Sequence, residues 1–321
     1  MKLYPLKFTP ITHYRIWGGS KLNSAVPTEL QKDKLGEIWS ISGIEGNVSV
    51  VENGELKGKD LKELIEEYQE RLIGKKVWEK FGTEFPLLIK FLDAAADLSV
   101  QVHPNDQQAK ELHNSFGKSE MWYIMDAEPN SELTIGFKKG IQKEEYQKHL
   151  KANSLDEILN KIPVQKGDAL YIPPGRVHAI GAGVVLAEIQ QTSDITYRIY
   201  DYNRIDKDGK KRELHTENAS RVIDFRPIEK IKSDYETTEN QFNTLIETPY
   251  FDTKIFSGDE TQEFSNNELR IYICTEGKGK FTFKDCEIEL KKYESLLIPA
   301  DCSDYQMLPS EHLSVLEVVI P

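Results

Sequence analysis

The sequence is poor in cysteine and lacks long apolar runs. Its 321 residues include three cysteines, Cys274, Cys286 and Cys302, without Cys-x-x-Cys spacing. An odd number of scattered thiols argues against a disulfide framework and favours a reducing compartment. No apolar run reaches the roughly 18 residues that a membrane span requires, and the first residues contain no apolar leader core. We therefore expect a cytoplasmic protein without a membrane partner.

Positive charge is also in deficit. Lysine and arginine total 41 against 53 aspartates and glutamates, so the formal net charge is −12. Such a chain is expected to repel nucleic acid and acidic membranes. A small anionic substrate remains possible where local cations outweigh the overall field. The oligomeric state is left open between a monomer and a weak dimer.

Short apolar stretches, separated by Gly, Pro, Asn and Asp, dominate the chain. This pattern is typical of a mainly β protein built from sandwiches or barrels. A polar stretch over residues 231–243 separates two runs of strands, so we predict two modules, 1–236 and 237–321. The predicted strands of the first run are Asn47–Val51, Leu87–Leu92, Leu98–Val102, Met121–Met125, Ala169–Ile172, Gly183–Gln190 and Thr196–Tyr202. Those of the second run are Tyr250–Phe256, Glu268–Cys274, Gly279–Phe283, Glu287–Leu290, Ser295–Ile298 and Leu313–Ile320.

Helical patterns are few and short. Asp60–Leu72 carries apolar residues at helical spacing, and Pro104–Asp106 can open a helix that ends near Leu112. Ser154 and Glu157 have the spacing of a capping box. These patterns predict a few short helices among many strands.

Two histidines and a glutamate mark a candidate metal site. Gln101 and His103 lie two residues apart on an extended segment, so their side chains point the same way. Glu120 and His178 each lie in a later apolar run. Two histidines, one carboxylate and an open position form the ligand set of a catalytic zinc site. Gln101 is either a fourth ligand or a hydrogen-bond partner of the ligands, because a neutral amide binds zinc weakly.

The segment from Gly167 to His178 has the spacing G-x5-P-x-G-x2-H. Here a glycine turn feeds an apolar strand, and a Pro-Gly corner reverses the chain and directs the histidine inward. This spacing resembles the second signature of the cupin superfamily, small jelly-roll barrels with a metal in the mouth. Tyr293 to Asp304 repeats the spacing without its glycines or its histidine. We therefore expect a mainly β protein of two cupin barrels, the second metal-free and packed against the first.

Seven further segments agree, in order, with one protein family. They are Trp17–Gly19, Phe85–Lys90, Leu98–Pro104, Lys118–Met121, Pro173–His178, Glu188–Gln191 and Ser193–Arg198. Through them the chain resembles the type I phosphomannose isomerases along nearly its whole length. The resemblance implies an enzyme that interconverts mannose 6-phosphate and fructose 6-phosphate through an enediol(ate). It also implies one zinc ion surrounded by Gln101, His103, Glu120 and His178.

The resemblance implies further roles within a pocket for a phosphorylated hexose. Arg198 would stabilise the enediolate, and Lys118 and Lys90 would complete a cationic pocket. Burial and neighbouring cations would lower the pKa of a lysine base from about 10.4. The proton carrier stays open among four residues, which are Lys118, Lys90, Asp194 and Glu188. Trp17 and Ser99 are candidates for the wall of the pocket.

The chain departs from longer family members in two ways. It lacks a large helical insertion between Glu120 and His178, and Gly117 stands where longer members often have a histidine. Two alternative functions remain at this point. One is a non-catalytic sugar-binding or regulatory cupin, and the other is a cupin oxidoreductase that uses iron or manganese.

Overall fold

The computed structural model describes residues 2–206, 208–265 and 267–321. The mainly β fold expected from the sequence is confirmed. The strands are β1 Ile11–Gly19, β2 Leu35–Ile41, β3 Leu87–Ala94, β4 Val100–Val102, β5 Glu120–Ala127, β6 Glu132–Phe137, β7 Leu159–Pro163, β8 Ala169–Ile172, β9 His178–Ile180, β10 Val184–Gln191, β11 Tyr197–Tyr200, β12 Phe242–Glu247, β13 Asp252–Gly258, β14 Gln262–Ser265, β15 Arg270–Phe283, β16 Glu287–Lys291, β17 Ser295–Ile298 and β18 Asp304–Val319.

The helices are short. They are α1 Leu61–Tyr68, α2 Glu70–Ile73, α3 Lys75–Phe81, α4 Asp106–His113, α5 Lys143–Ala152 and α6 Thr216–Val222, with 3-10 turns at Lys21–Ala25, Thr28–Leu30 and Leu155–Glu157. Between Glu120 and His178 the structure has α5, of 10 residues, and no larger helix among the residues it describes. None of the helices in the described part of the chain is long and apolar enough to cross a membrane.

The strands form three sheets. A six-stranded sheet has the order β1-β2-β3-β10-β5-β8, and a five-stranded sheet has the order β11-β4-β9-β6-β7. An apolar core that includes Trp122 and Leu186 of the first sheet and Leu133 and Ile180 of the second joins the two. The two sheets therefore pack face to face, which is the arrangement of a β-sandwich.

Alternation along the central strands sorts residues between two faces of the six-stranded sheet. On β10, Val185, Ala187 and Ile189 belong to a core shared with the C-terminal strands. Residues of the other face include Glu188, which lines a cavity between the six- and five-stranded sheets. Lys90 on β3 and Glu120 on β5 lie on that same inner face. A period of two thus directs Val185, Ala187 and Ile189 toward the C-terminal strands and places Glu188 on the inner face of the sandwich.

The C-terminal strands β12–β18 form the third sheet, in which β18 and β15 are central. The two predicted strands Glu268–Cys274 and Gly279–Phe283 are in fact one strand, β15, with register shifts between Cys274 and Glu276 and between Gly277 and Gly279. These bulges let one long strand bend while it keeps its pairing. The division of the chain at residue 236 stays a prediction.

Two local predictions were wrong and one was incomplete. Asn47–Val51 is not a strand, because its backbone pairing is limited to single bridges at Val50 and Val51. Ser154 makes no side-chain cap, and only a 3-10 turn follows it. The predicted helix Asp60–Leu72 begins with a capping box of Asp60 and Glu63, but Gln69 at φ 49° divides it into α1 and α2. The helix predicted near Leu112 is confirmed as α4, capped by Asn105.

Candidate metal centre and surrounding cavity

A cavity of about 450 Å³ opens between the six- and five-stranded sheets. Its lining includes nine of the eleven residues predicted for the site, namely Trp17, Lys90, Ser99, Gln101, Lys118, Glu120, Glu188, Asp194 and Arg198. A larger groove of about 910 Å³ lies between the N-terminal residues and the C-terminal sheet. None of the eleven predicted site residues lines that groove, so we assign the chemistry to the smaller cavity.

Strand register brings the histidines together. Gln101 on β4 pairs directly with His178 on β9, and Arg198 on β11 pairs with Gln101 on its other side. His103 follows β4, and its carbonyl oxygen accepts a hydrogen bond of 2.8 Å from the backbone N–H of Gly175. Gly175 has φ +82°, and a Cβ there would lie 2.7 Å from the carbonyl oxygen of Val222. The Pro-Gly corner therefore needs this glycine, and it fastens the first histidine segment to the second.

Glu120 lies between the two histidines. One carboxylate oxygen is 3.2 Å from Nε2 of His103, and the other is 3.7 Å from Nε2 of His178. Trp122, two residues along β5, donates its indole N–H to the same carboxylate at 3.2 Å. All three candidate ligands are buried, with at most 1% of each residue exposed.

The histidine tautomers suit metal binding. Nδ1 of His103 lies 2.8 Å from the carbonyl oxygen of Ile195, and Nδ1 of His178 lies 2.8 Å from that of Arg176. Because a carbonyl can only accept, each Nδ1 carries the proton and each Nε2 presents a lone pair. Nε2 of His178 is buried without a hydrogen-bond partner among the described residues. A buried, unpartnered nitrogen beside a carboxylate fits a metal ion.

The electrostatics of the three groups agree with this assignment. Burial, reinforced by the charge of Lys118, lowers the pKa of His103 to about 3. Burial also lowers the pKa of His178. Burial alone would raise the pKa of Glu120, but Lys118 and His103 outweigh it and hold that pKa well below its usual range. At neutral pH the set is thus two neutral imidazoles and one carboxylate, the protonation state that ligation requires.

Lys118 reaches the same centre from the segment before β5. Its ammonium lies 2.8 Å from Glu120 and 3.3 Å from Nε2 of His103, and the residue is buried. The preceding residue, Gly117, has no room for a side chain, because a Cβ there would lie 2.5 Å from the backbone nitrogen of Asp106. A histidine at position 117 is therefore excluded by the packing of α4.

Lys90 and Glu188 form a buried ion pair across β3 and β10, with 3.0 Å between Nζ and a carboxylate oxygen. Burial would lower the pKa of Lys90, but Glu188, Glu37 and Glu120 outweigh it and the pKa is raised. The expectation of a lowered lysine pKa is thus wrong for Lys90. Burial and the nearby Glu120 raise the pKa of Glu188 to about 7.

Arg198 enters the cavity from the opposite sheet. It donates hydrogen bonds to Ser99 Oγ at 3.2 Å and to the carbonyl oxygen of Glu213 at 2.8 Å. Asp201, three residues further along the chain, pairs with Arg204 and Arg212 and not with Arg198. No carboxylate pairs with Arg198 among the residues that the structure describes. Its charge is therefore held in place by neutral groups and is directed at the cavity.

The remaining predicted residues lie at the wall of the cavity. Trp17 and Ser99 are buried, whereas Asp194 is exposed. Sequence reasoning missed a second group in this wall, formed by His13, Arg15, Glu37 and Trp39. The signal that could have found it is the pattern Glu-x-Trp, which occurs at Glu37–Trp39 and again at Glu120–Trp122.

The fold and this centre together define a cupin protein with a buried site for one metal ion. A model of the type I phosphomannose isomerase catalytic domain matches residues 6–151. The chain is 38% identical to mannose-6-phosphate isomerase ManA of Bacillus subtilis over 96% of each chain. It is 35% identical to the mannose-6-phosphate isomerase of Streptococcus mutans over 94% of each. The crystal structure of the Bacillus subtilis mannose 6-phosphate isomerase superimposes with a TM-score of 0.88 at 31% identity, covering 99% of this chain and all of the other.

The chain belongs to the type I phosphomannose isomerase family. The cupin fold and the isomerase activity class expected from the sequence are confirmed. The non-catalytic cupin and the cupin oxidoreductase find no support in these relatives.

Proposed function

We propose that this protein interconverts mannose 6-phosphate and fructose 6-phosphate with one zinc ion held by His103, Glu120 and His178. The observation that carries the proposal is the meeting of this ligand set with Lys118, Glu188 and Arg198 in one cavity. When bound, zinc supplies Lewis-acid stabilisation of substrate oxygens without redox chemistry. Gln101 pairs with His178 and stays open as a fourth ligand.

Proton transfer between C1 and C2 of the sugar needs a group that both accepts and returns a proton near neutral pH. Glu188 fits this task best, because it is buried in the cavity and its pKa is raised to about 7. Asp194 is exposed at the wall, and Lys90 is held in its charged form by three carboxylates. The Lys118 ammonium is engaged by the metal-site carboxylate of Glu120 at 2.8 Å. We therefore assign the proton transfer to Glu188.

Three cationic side chains stabilise the negative charge of the substrate. Arg198 faces the cavity from the five-stranded sheet, while Lys118 and Lys90 approach from the other side. A permanent guanidinium charge in a buried site stabilises an enediolate more than it would in water. The same three cations lie together in the cavity, so a phosphorylated hexose can be attracted there although the net charge of the whole chain is −12.

The proposal is tested with metal-stripped protein in a coupled assay of mannose 6-phosphate conversion, with zinc added back. We expect turnover to vanish on stripping and to return with one equivalent of zinc per chain. Absence of turnover at every metal loading would refute the isomerase proposal. Recovery with iron or manganese but not with zinc would refute only the choice of metal.

We also propose that the protein works in the cytoplasm. Cys274, Cys286 and Cys302 are all free thiols in the structure, which supports a reducing compartment. A monomer or weak dimer stays a prediction, as does the absence of nucleic-acid and membrane partners.

A further inference from the structure

Two Glu-x-Trp pairs flank the centre of the six-stranded sheet. In each pair the tryptophan N–H donates to the glutamate two residues earlier on the same strand face. The distance is 2.7 Å for Trp39 to Glu37 on β2, and 3.2 Å for Trp122 to Glu120 on β5. The second pair belongs to the metal centre. The first pair has the same local geometry, and the histidine beside it, His13, pairs with Glu37 in the strand register and lies 4.5 Å from Trp39 between ring centres.

Glu37 contacts an arginine, whereas Glu120 contacts the histidines of the candidate metal site. Nε of Arg15 lies 2.8 Å from one carboxylate oxygen of Glu37, and a second guanidinium nitrogen lies 3.0 Å from the other. Glu37 is 8% exposed, so this bidentate contact forms largely out of water. A carboxylate fixed by three donors has little freedom to move.

Lys90 lies between the two tryptophans. On the inner face of the sheet, Lys90 pairs with Trp39 of β2 on one side and with Glu188 of β10 on the other, and Glu188 pairs in turn with Trp122. Nζ of Lys90 is 5.9 Å from the centre of the Trp39 ring, within the range of a cation–π contact. The Lys90 side chain thus lies between the indole ring of Trp39 and the carboxylate of Glu188, and it is also attracted by the negative charge of Glu37.

We propose that Glu37, held by Arg15 and Trp39, is a positioning residue that keeps the Lys90 ammonium directed into the cavity. This inference deepens the proposed isomerase function and rests on it. Glu37 acts through Lys90, as a counter-charge on the far side from Glu188, and does not touch the reacting atoms. Without it, the ammonium would be drawn toward Glu188 and away from the substrate.

The charge states of the two groups are consistent with this arrangement. Burial would raise the pKa of Glu37, but Arg15 and Lys90 outweigh it and lower that pKa to about 2. Glu37 is in turn the second strongest of the charges that raise the pKa of Lys90, after Glu188. Each group therefore stabilises the charged form of the other.

A double-mutant cycle tests the inference. The variants are Glu37→Gln, Lys90→Met and the double variant. Each is loaded with zinc and assayed for kcat and KM with mannose 6-phosphate, and its zinc content and thermal stability are measured. We expect Glu37→Gln alone to lower kcat about tenfold, with a smaller change in KM and full zinc content. In the Lys90→Met background the same substitution should change kcat by less than about twofold, because its effect passes through Lys90.

A second substitution covers the case in which Glu37→Gln fails to fold. Trp39→Phe keeps an aromatic ring beneath Lys90 but removes the N–H that holds Glu37, and we expect kcat to fall about threefold in the wild-type background and not in Lys90→Met. Asp126→Asn is the matched control for loss of one negative charge. Asp126 lies on β5 and pairs with Lys21 at a half-exposed site outside the cavity lining. Its kcat should stay within about twofold of wild type.

The outcomes separate the two levels of the proposal. The inference is overturned if kcat is unchanged in Glu37→Gln and Trp39→Phe, or if their losses are as large in the Lys90→Met background as in wild type. Those results, with an active wild-type enzyme, leave the proposed function intact. A wild-type protein without turnover at any zinc loading overturns the proposed function and this inference together.

Discussion

Two regions of the molecule can be compared, the cavity between the six- and five-stranded sheets and the interior of the C-terminal sheet. Both place a carboxylate and a cation inside β structure. In the cavity, Glu120 meets Lys118 and two histidines, and Nε2 of His178 has no protein partner among the described residues. In the C-terminal sheet, Glu317 pairs with Arg270 and accepts a hydrogen bond of 2.8 Å from Tyr272.

The C-terminal interior is closed by aromatic rings. Tyr272 and Tyr305 are linked through their hydroxyl groups at 2.9 Å, and Phe264 stacks on Tyr305 with 4.6 Å between ring centres. Phe281 packs against Tyr272 at 4.8 Å. Buried polar groups that satisfy one another stabilise a fold, whereas groups left unsatisfied can bind a ligand. The two interiors therefore differ in the role of the carboxylate, which stabilises the fold in the C-terminal sheet and can bind a ligand in the cavity.

The corner that precedes each interior shows the same divergence. Pro173–His178 directs a buried histidine at Glu120, whereas the equivalent spacing Pro299–Asp304 ends in an exposed aspartate that accepts a hydrogen bond from Ser265. One corner delivers a ligand to the interior. The other delivers a surface contact between strands.

The largest expected contrast comes from removing one histidine in each region. His178→Ala should lose zinc and reduce kcat by about a thousandfold or more, because it removes one of the three candidate ligands at the centre. His312→Ala, at an exposed position of β18, should leave zinc content and kcat unchanged. Metal analysis and the coupled assay on both variants check this. Equal zinc content in the two variants would contradict the assigned centre.

The paired arginines should separate activity from stability. Arg198→Ala is expected to retain zinc and to lose about 10²–10³-fold in kcat, since it removes a fixed charge from the cavity. Arg270→Ala should leave kcat nearly unchanged and lower the free energy of unfolding by about 2 kcal/mol, because Glu317 is left buried without its counter-charge. Kinetics and urea denaturation measure the two effects. An Arg198→Ala enzyme with most of its rate would refute the enediolate role.

The smallest expected effect is a pH dependence confined to the cavity. The pKa of Glu188 is raised from 4.5 to about 7, so the folded protein keeps a proton that the unfolded chain releases in that window. Its contribution to the free energy of unfolding is therefore present below about pH 4.5 and is lost as the pH rises toward about 7. Because Gln resembles the protonated carboxyl, urea denaturation of the metal-free proteins should show wild type losing stability relative to Glu188→Gln as the pH rises over this range. A constant difference would contradict the raised pKa.

Much of this arrangement could be predicted from local patterns. Short apolar stretches at Leu87–Leu92 and Gly183–Gln190 indicated strands, and the structure has strands there with shifted ends. The ligand set followed from residue types and the Pro-Gly spacing. The segment Asn47–Val51 failed because alternation predicts a strand only where a neighbouring strand is available to pair with it, and the segment finds single bridges instead. The group of Arg15, Glu37 and Trp39 was missed because β1 and β2 come to lie beside β3 only when the chain folds into the six-stranded sheet.

The sequence by itself determined the mainly β class, the family and the identity of the candidate ligands, because these depend on short-range periodicity and on ordered motifs. Tertiary structure alone decided which charged groups share a dielectric environment. Glu188 and Glu37, on the two neighbouring strands, raise the pKa of Lys90 and keep it charged. Burial and Glu120 raise the pKa of Glu188 to about 7. Such shifts depend on burial and on distances of a few ångströms between residues that are far apart in the chain, and no spacing in the sequence encodes them.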